Sequence, residues 1–236
     1  MTVESRKRRR PEFSYDLGRY SAMALLLVLF FMLIPFTHQG SVYNIGLNLV
    51  IVAALLFTLR GAWPNTVAMS LAVGMALVTL LPVIGIAPQD SWSQLLAHVS
   101  ALFLVLLVSG AILGHVLTVE DVTLDIVIGA ASVYLLLGLL WGAIFALLEY
   151  WFPGSFRFPT ASFEGGPMAL LPLRRDSIIL YFSFETLTTL GYGDVLPVTP
   201  PARFLSILEA LVGQLYLALL VARYVGILLQ NRQVRA

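Results

Sequence analysis

The residues from Glu185 to Asp194, ETLTTLGYGD, are the ones whose types and spacing suit them for chemistry. Two glycines flank Tyr192, and glycine takes φ > 0 without steric cost. A backbone alternating between ordinary and φ > 0 conformations turns successive carbonyls the same way, which accounts for Gly191 and Gly193. Thr189 adds a hydroxyl as a further oxygen ligand. A ring of such carbonyls, built from four chains, can replace the hydration shell of K⁺. Other chemistries are poorly served. There are no cysteines, so disulfides, thiol catalysis and thiolate metal sites are excluded. His38, His98 and His115 are scattered and form no metal-binding motif.

The elements that must position this stretch are membrane elements. The chain has 236 residues, 59% hydrophobic and 11% charged, too few polar groups to clothe a soluble protein of this length. The apolar residues fall in long runs. A bilayer core of about 30 Å needs roughly 20 helical residues to cross it. Six segments qualify: Tyr20–Phe36, Tyr43–Leu59, Trp63–Val83, Trp92–Leu117, Ile126–Trp151 and Ala202–Leu229. Asp176–Thr189 is apolar and helical in pattern but too short to span, with Asp176 or Ser177 as its N-cap. It reads as a re-entrant helix that stops half way, and its C-terminus near Thr188 carries the negative end of the helix dipole. Backbone that leaves a helix at membrane depth is tolerated only where it is buried in protein or lines water. The expected fold is therefore all-α, with six transmembrane helices and a re-entrant helix between the fifth and sixth.

On the sixth segment Gln214, Leu217, Val221 and Val225 share one face and are assigned to a central cavity and gate. Ile207, Leu211, Leu215 and Leu219 face core or lipid. Gly213, in mid-helix, serves bending or close packing. Glu149 ends the fifth segment. Glu209 lies inside the sixth, where a charge is expensive and usually functional, either bonding re-entrant-helix groups or facing the cavity.

Charge placement sets the orientation. Arg6, Lys7, Arg8, Arg9 and Arg10 precede the first segment, which puts the N-terminus in the cytoplasm; six crossings return the C-terminus there. The basic cluster is topogenic and suited to anionic lipid headgroups; a nucleic-acid partner is not expected.

TTLGYGD resembles the signature of the potassium-channel family, whose usual form is T-V-G-Y-G-D, with Leu190 in place of the valine. The resemblance covers Ile126–Leu229, read as outer helix, turret, pore helix, filter and inner helix. The whole is similar to the six-helix layout of the voltage-gated-like superfamily. It implies a homotetramer that conducts K⁺ passively, not an enzyme, with K⁺ as permeant ion and no cofactor. Its filter would be Thr189, Leu190, Gly191, Tyr192 and Gly193, with K⁺ held by the carbonyls of the first four and the Thr189 hydroxyl. Leu190 would sit behind the filter. Glu149, Thr188, Glu185 and Asp194 would support it, Thr186 and Thr188 by packing. Glu185 would stay protonated and donate to Asp194, as the same spacing does in some two-helix bacterial potassium channels; the alternative is an ionised Glu185 bonded to backbone amides. Gly213 matches a hinge position.

The chain departs from the family in three places. Trp92–Leu117 contains His98 and His115 but no Arg or Lys, so no working voltage sensor is expected. Tyr181 and Phe182 stand where many members carry tryptophans that brace the filter; Phe182 has no donor, so the brace is either weakened or moved to Tyr181. QNRQVRA alone follows the sixth segment, so no cytoplasmic nucleotide- or Ca²⁺-binding domain is expected. The implied layout is a basic cytoplasmic N-terminus (1–19), a four-helix domain without arginines on its fourth helix (20–117), a linker (118–125), the pore domain (126–229) and a short tail (230–236), in a prokaryotic inner membrane with both termini cytoplasmic. The rival readings are a potassium uptake transporter subunit, which would need four such loops in one chain, and a non-conducting modulatory subunit.

Overall fold

Long apolar runs without internal breakers give long helices, and the computed structural model shows where they begin and end. It describes residues 18–33, 48–49, 51–56, 59, 66–83, 91–118, 123–158 and 172–233. The basic cluster at 6–10 and His38 lie outside the described residues. The helices are α1 (Arg19–Leu33), α2 (Thr66–Val83), α3 (Ser91–Thr118), α4 (Leu124–Trp151), α5 (Pro172–Leu187) and α6 (Pro200–Gln233). Within the second expected segment, 48–49, 51–56 and 59 are helical. Among the described residues, three helices are long and apolar enough to cross a membrane, over Leu95–Thr118, Leu124–Trp151 and Pro200–Ile227. The apolar stretches of α1, α2 and α5 are shorter.

Boundaries follow local chemistry. Thr123, in extended conformation, accepts from the Ile126 N–H at 3.4 Å and so starts α4 before Ile126. Proline fits the first helical position because its missing N–H has no intrahelical partner there. This corrects two expectations. α5 begins at Pro172, so Asp176 and Ser177 lie inside the helix instead of capping it. α6 begins at Pro200, not Ala202, and continues to Gln233. The segment 230–233, expected as tail, is helical because nothing after Leu229 breaks the helix, and Gln and Arg are good helix formers.

Packing divides into two cores. The first joins α1, α2, α3 and α4. Leu104, Val108, Ile112 and Val116 recur every four residues along α3 and interdigitate with Ala130, Val133 and Leu136 of α4 and with Ala72 and Ala76 of α2. Met23 and Leu27 of α1 complete it. Asp125, in the first turn of α4, accepts from Ser21 N and Ser21 Oγ at 3.0 Å each and so satisfies donors at the start of α1. The second core seats α5 on α4. Phe145, Phe156 and Phe182 meet with ring centroids 5.1–5.4 Å apart in tilted and edge-on contacts. Gly138 and Gly142, one turn apart on α4, make that seat possible: a Cβ at Gly142 would lie 2.8 Å from Leu180 Cδ1, and one at Gly138 would enter the Phe184 ring. This is the small-xxx-small spacing that lets membrane helices approach closely.

The all-α expectation has one addition. β1 (Phe156–Arg157) pairs antiparallel with β2 (Leu196–Pro197), a two-residue ladder beyond the C-terminal end of α4.

Candidate functional site

α5 delivers the ETLTTLGYGD stretch, and the first question is how its helix stops. Leu190 N–H donates to Glu185 O at 2.9 Å, and Thr189 N–H donates to Thr186 O at 3.0 Å. That pair of bonds is a Schellman cap, which needs a left-handed residue, and the residue here is Thr189 at φ 58. Glycine is usual at that place; a β-branched residue is strained. Gly191 (φ 61) and Gly193 (φ 78) follow with the same sign. Positive φ thus recurs at every second residue from Thr189 to Gly193. Sequence reasoning assigned it to the glycines and missed Thr189, whose position in the helix cap is set by tertiary structure.

The carbonyls at the end of α5 are all engaged. Phe184 O accepts from Thr188 N at 3.0 Å and Thr188 Oγ1 at 2.6 Å. Leu187 O accepts from the Tyr134 hydroxyl of α4 at 3.0 Å. Thr189 Oγ1 donates to Thr188 O at 2.7 Å and accepts from Gln214 Nε2 of α6 at 3.4 Å. Gln214, assigned from sequence to the cavity face, therefore also touches the base of the loop. Tyr134 was not singled out, although a tyrosine in an apolar span calls for a partner at its hydroxyl.

The far end of the loop is held differently from the favoured expectation. Glu185 is buried (4% exposed) and its Oε1 accepts from Gly193 N–H at 2.9 Å. Asp194 Oδ1 accepts from the Tyr181 hydroxyl at 3.2 Å and from Val195 N–H at 3.1 Å. The expected Glu185–Asp194 bond is absent among the described residues. A backbone N–H within reach of Glu185, and a phenol within reach of Asp194, supply the donors that the shared proton would have supplied. Phe182 has no donor and packs into the aromatic core.

Glu149 is buried and accepts from Gly154 N at 2.8 Å and Phe156 N at 3.2 Å. It shapes the turn that feeds β1. β1 pairs with β2, which begins two residues after Asp194, so the turn held by Glu149 is joined by the ladder to the chain that leaves the loop. Arg203 Nε donates to Pro197 O at 3.2 Å, and Ser155 O accepts from Val198 N–H at 2.9 Å.

α6 runs beside this loop. A Cβ at Gly213 would meet Leu187 O at 2.6 Å, so this glycine is required for contact with the end of α5. Tyr216 and Tyr224 donate to Ala130 O at 2.6 Å and Ile126 O at 3.3 Å, fixing α6 along α4. Glu209 is buried and bonds Ser183 of α5, the first of its two sequence readings. His98 lies on α3, and the His115 ring lies 5.9 Å from that of Tyr20.

Thr188 through Asp194 are exposed in the single chain, with Tyr192 70% and Leu190 54% open. Leu190, expected behind the loop, is more than half open in the single chain. Leu217, Val221 and Val225 on α6 are likewise exposed, as are Ile207, Leu211, Leu215 and Leu219.

Residues 177–230 match the family model described as ion channel. The match runs from within α5, through the loop, to near the end of α6. No curated protein and no solved structure matches the chain. With the three long apolar helices, the match supports a membrane protein carrying an ion-channel domain.

Proposed function

We propose that four copies of this chain form a K⁺-selective channel, with Thr189, Leu190, Gly191, Tyr192 and Gly193 as its filter and α6 lining the inner pore. The observation that carries the reading is the recurrence of positive φ at Thr189, Gly191 and Gly193. This alternation aims successive carbonyls to one side, and a ring of such carbonyls replaces the hydration shell of K⁺. One loop supplies a quarter of the ring, which is why four copies are needed. The exposed filter and the exposed apolar length of α6 agree with this, because both want cover from neighbouring copies or lipid.

K⁺ enters as the permeant ion. The basic segment at Arg6, Lys7, Arg8, Arg9 and Arg10 would favour anionic lipid on the cytoplasmic side. Both termini lie in the cytoplasm of a prokaryotic cell in this reading. α3 offers no arginine or lysine to the field, so opening is not steeply voltage-driven.

Purified protein in planar bilayers with opposed K⁺ and Na⁺ gradients tests it. The reversal potential should follow K⁺. Gly191→Ala should abolish selectivity or assembly, because alanine resists φ > 0. A reversal potential that follows both ions equally, or a conducting form smaller than four chains, would overturn the proposal.

A further inference from the structure

α6 carries a carboxyl group that the filter does not use. Glu209 is 0% exposed, and its Oε1 lies 2.6 Å from Ser183 Oγ on α5. The same Ser183 oxygen lies 2.8 Å from the Gly138 carbonyl on α4. Both are hydrogen-bond distances, yet a serine hydroxyl has one proton. A carbonyl oxygen has none to give, so when both bonds are made the Ser183 proton goes to Gly138. The contact with Glu209 then needs a proton from the carboxyl group.

The surroundings point the same way. Glu209 Oε2 is buried without a partner. An unpartnered oxygen on a neutral carboxyl is a smaller loss than half of a buried carboxylate. Among the described residues no cation is bonded to it. Arg203 is about 9 Å up the helix axis, exposed and turned to Pro197 O, and Arg223 is about 21 Å down it. α4 brings Tyr134 within electrostatic reach, uncharged at pH 7, with its hydroxyl given to Leu187 O. α5 brings Ser183.

We propose that Glu209 is a positioning residue that keeps its carboxyl proton and uses it to fasten the inner helix to the pore helix. Glu209 donates to Ser183 and Ser183 donates to Gly138, so one hydrogen-bond chain joins α6, α5 and α4. The fastening stands one turn from Gly213, where α6 already touches the C-terminal carbonyl of α5. Two adjacent contacts then fix the helix that gates against the helix that holds the filter. This role in the pore rests on the channel reading; the proton and the three-helix tie do not.

The test uses full-length protein in lipid at pH 7. Infrared spectra of the wild type should show the C=O stretch of a protonated carboxyl, lost in Glu209→Gln and moved to higher frequency in Ser183→Ala. Glutamine still donates, so Glu209→Gln should keep single-channel open times within about twofold of wild type. Glu209→Leu and Ser183→Ala break the tie and should change them by about fivefold or more, the ratio that corresponds to one lost hydrogen bond. If Glu209→Leu does not assemble, Ser183→Ala gives the same comparison. A protonated-carboxyl band unchanged in Glu209→Gln overturns the proposal. So does a band that is lost while both tie-breaking variants open like the wild type. In a non-conducting wild type the channel reading fails, and the infrared band still decides on Glu209.

Discussion

The Tyr181 hydroxyl donates to Asp194 Oδ1 across 3.2 Å, joining the middle of α5 to the residue that follows Gly193. Asp194 also holds the Val195 N–H, so the bond fixes the start of the chain that returns to β2. Contact with solvent limits its worth to about 1 kcal/mol. Tyr181→Phe should therefore leave assembly intact and shorten sustained filter opening by up to about fivefold, read as single-channel open time in steady K⁺ flow. Tyr181→Trp should recover part of it, because the indole N–H donates. Equal open times in all three proteins would remove Tyr181 from filter support.

Glu185 acts on the same end of the filter as an acceptor. Its Oε1 takes the Gly193 N–H, which would otherwise be left without its partner behind a positive-φ glycine. Glu185→Gln keeps an acceptor oxygen and should conduct with wild-type open times. Glu185→Ala removes it, at a cost of about 1–3 kcal/mol to the outer filter, and should shorten them clearly. If Gln and Ala behave alike, the Gly193 bond does not hold the filter.

How much of this was legible depends on the range of the interaction. The loop, its two glycines and the helix before it could be read because turn chemistry and apolar periodicity are local. The resemblance left the brace either weakened or moved to Tyr181, and the Tyr181–Asp194 bond agrees with the second. The start of α5 was misplaced because Asp176 and Ser177 are good caps in isolation while Pro172 sets the helix earlier. The Glu185 partner was misassigned because spacing along the chain places two carboxylates near each other without saying which backbone N–H lies closer. Gly138, Ser183 and Glu209 come together from three helices, and no single segment of sequence carries that convergence. The local signals of it were the carboxyl of Glu209 inside a span, for which a bond to re-entrant-helix groups was one of two readings, and the spacing of Gly138 and Gly142.

Gly213 offers a clean contrast with Gly226. A Cβ at Gly213 meets a backbone carbonyl, Leu187 O, at 2.6 Å, whereas one at Gly226 meets nothing within 4 Å. Backbone cannot yield as a side chain can, so Gly213→Ala should destabilise by about 1–3 kcal/mol. Gly226→Ala should be neutral or slightly stabilising, since alanine is the better helix former by about 1 kcal/mol. Unfolding temperatures in detergent measure both. A Gly213→Ala protein as stable as the wild type would mean that α6 does not rest on the filter base.

Voltage sensitivity should be shallow. Each elementary charge that crosses the field contributes about 2.3 kcal/mol per 100 mV, and α3 carries neither arginine nor lysine. Open probability should change little between strongly negative and strongly positive potentials in symmetric K⁺. A steep conductance–voltage curve would place gating charge on another element.

Thr189 sets stability against function at one residue. It holds φ 58 at the cap of the pore helix, a conformation that strains a β-branched side chain by about 1–3 kcal/mol. Its hydroxyl is the only side-chain oxygen offered by residues 189–193 apart from the tyrosine phenol, and it is oriented by Thr188 O and Gln214 Nε2. Thr189→Gly relieves the strain, since glycine is the preferred residue at this cap position. It also removes the hydroxyl. The variant should unfold at a higher temperature in detergent and lose preference for K⁺ over Na⁺ in bilayers, the trade-off expected where strain is stored at a working site. Thr189→Ser separates the two effects: it keeps the oxygen, lacks the β-branch, and should hold selectivity with an intermediate gain in stability. A glycine variant that unfolds at a lower temperature than the wild type would show that Thr189 is not strained. One that keeps full selectivity would show that its hydroxyl is not a ligand.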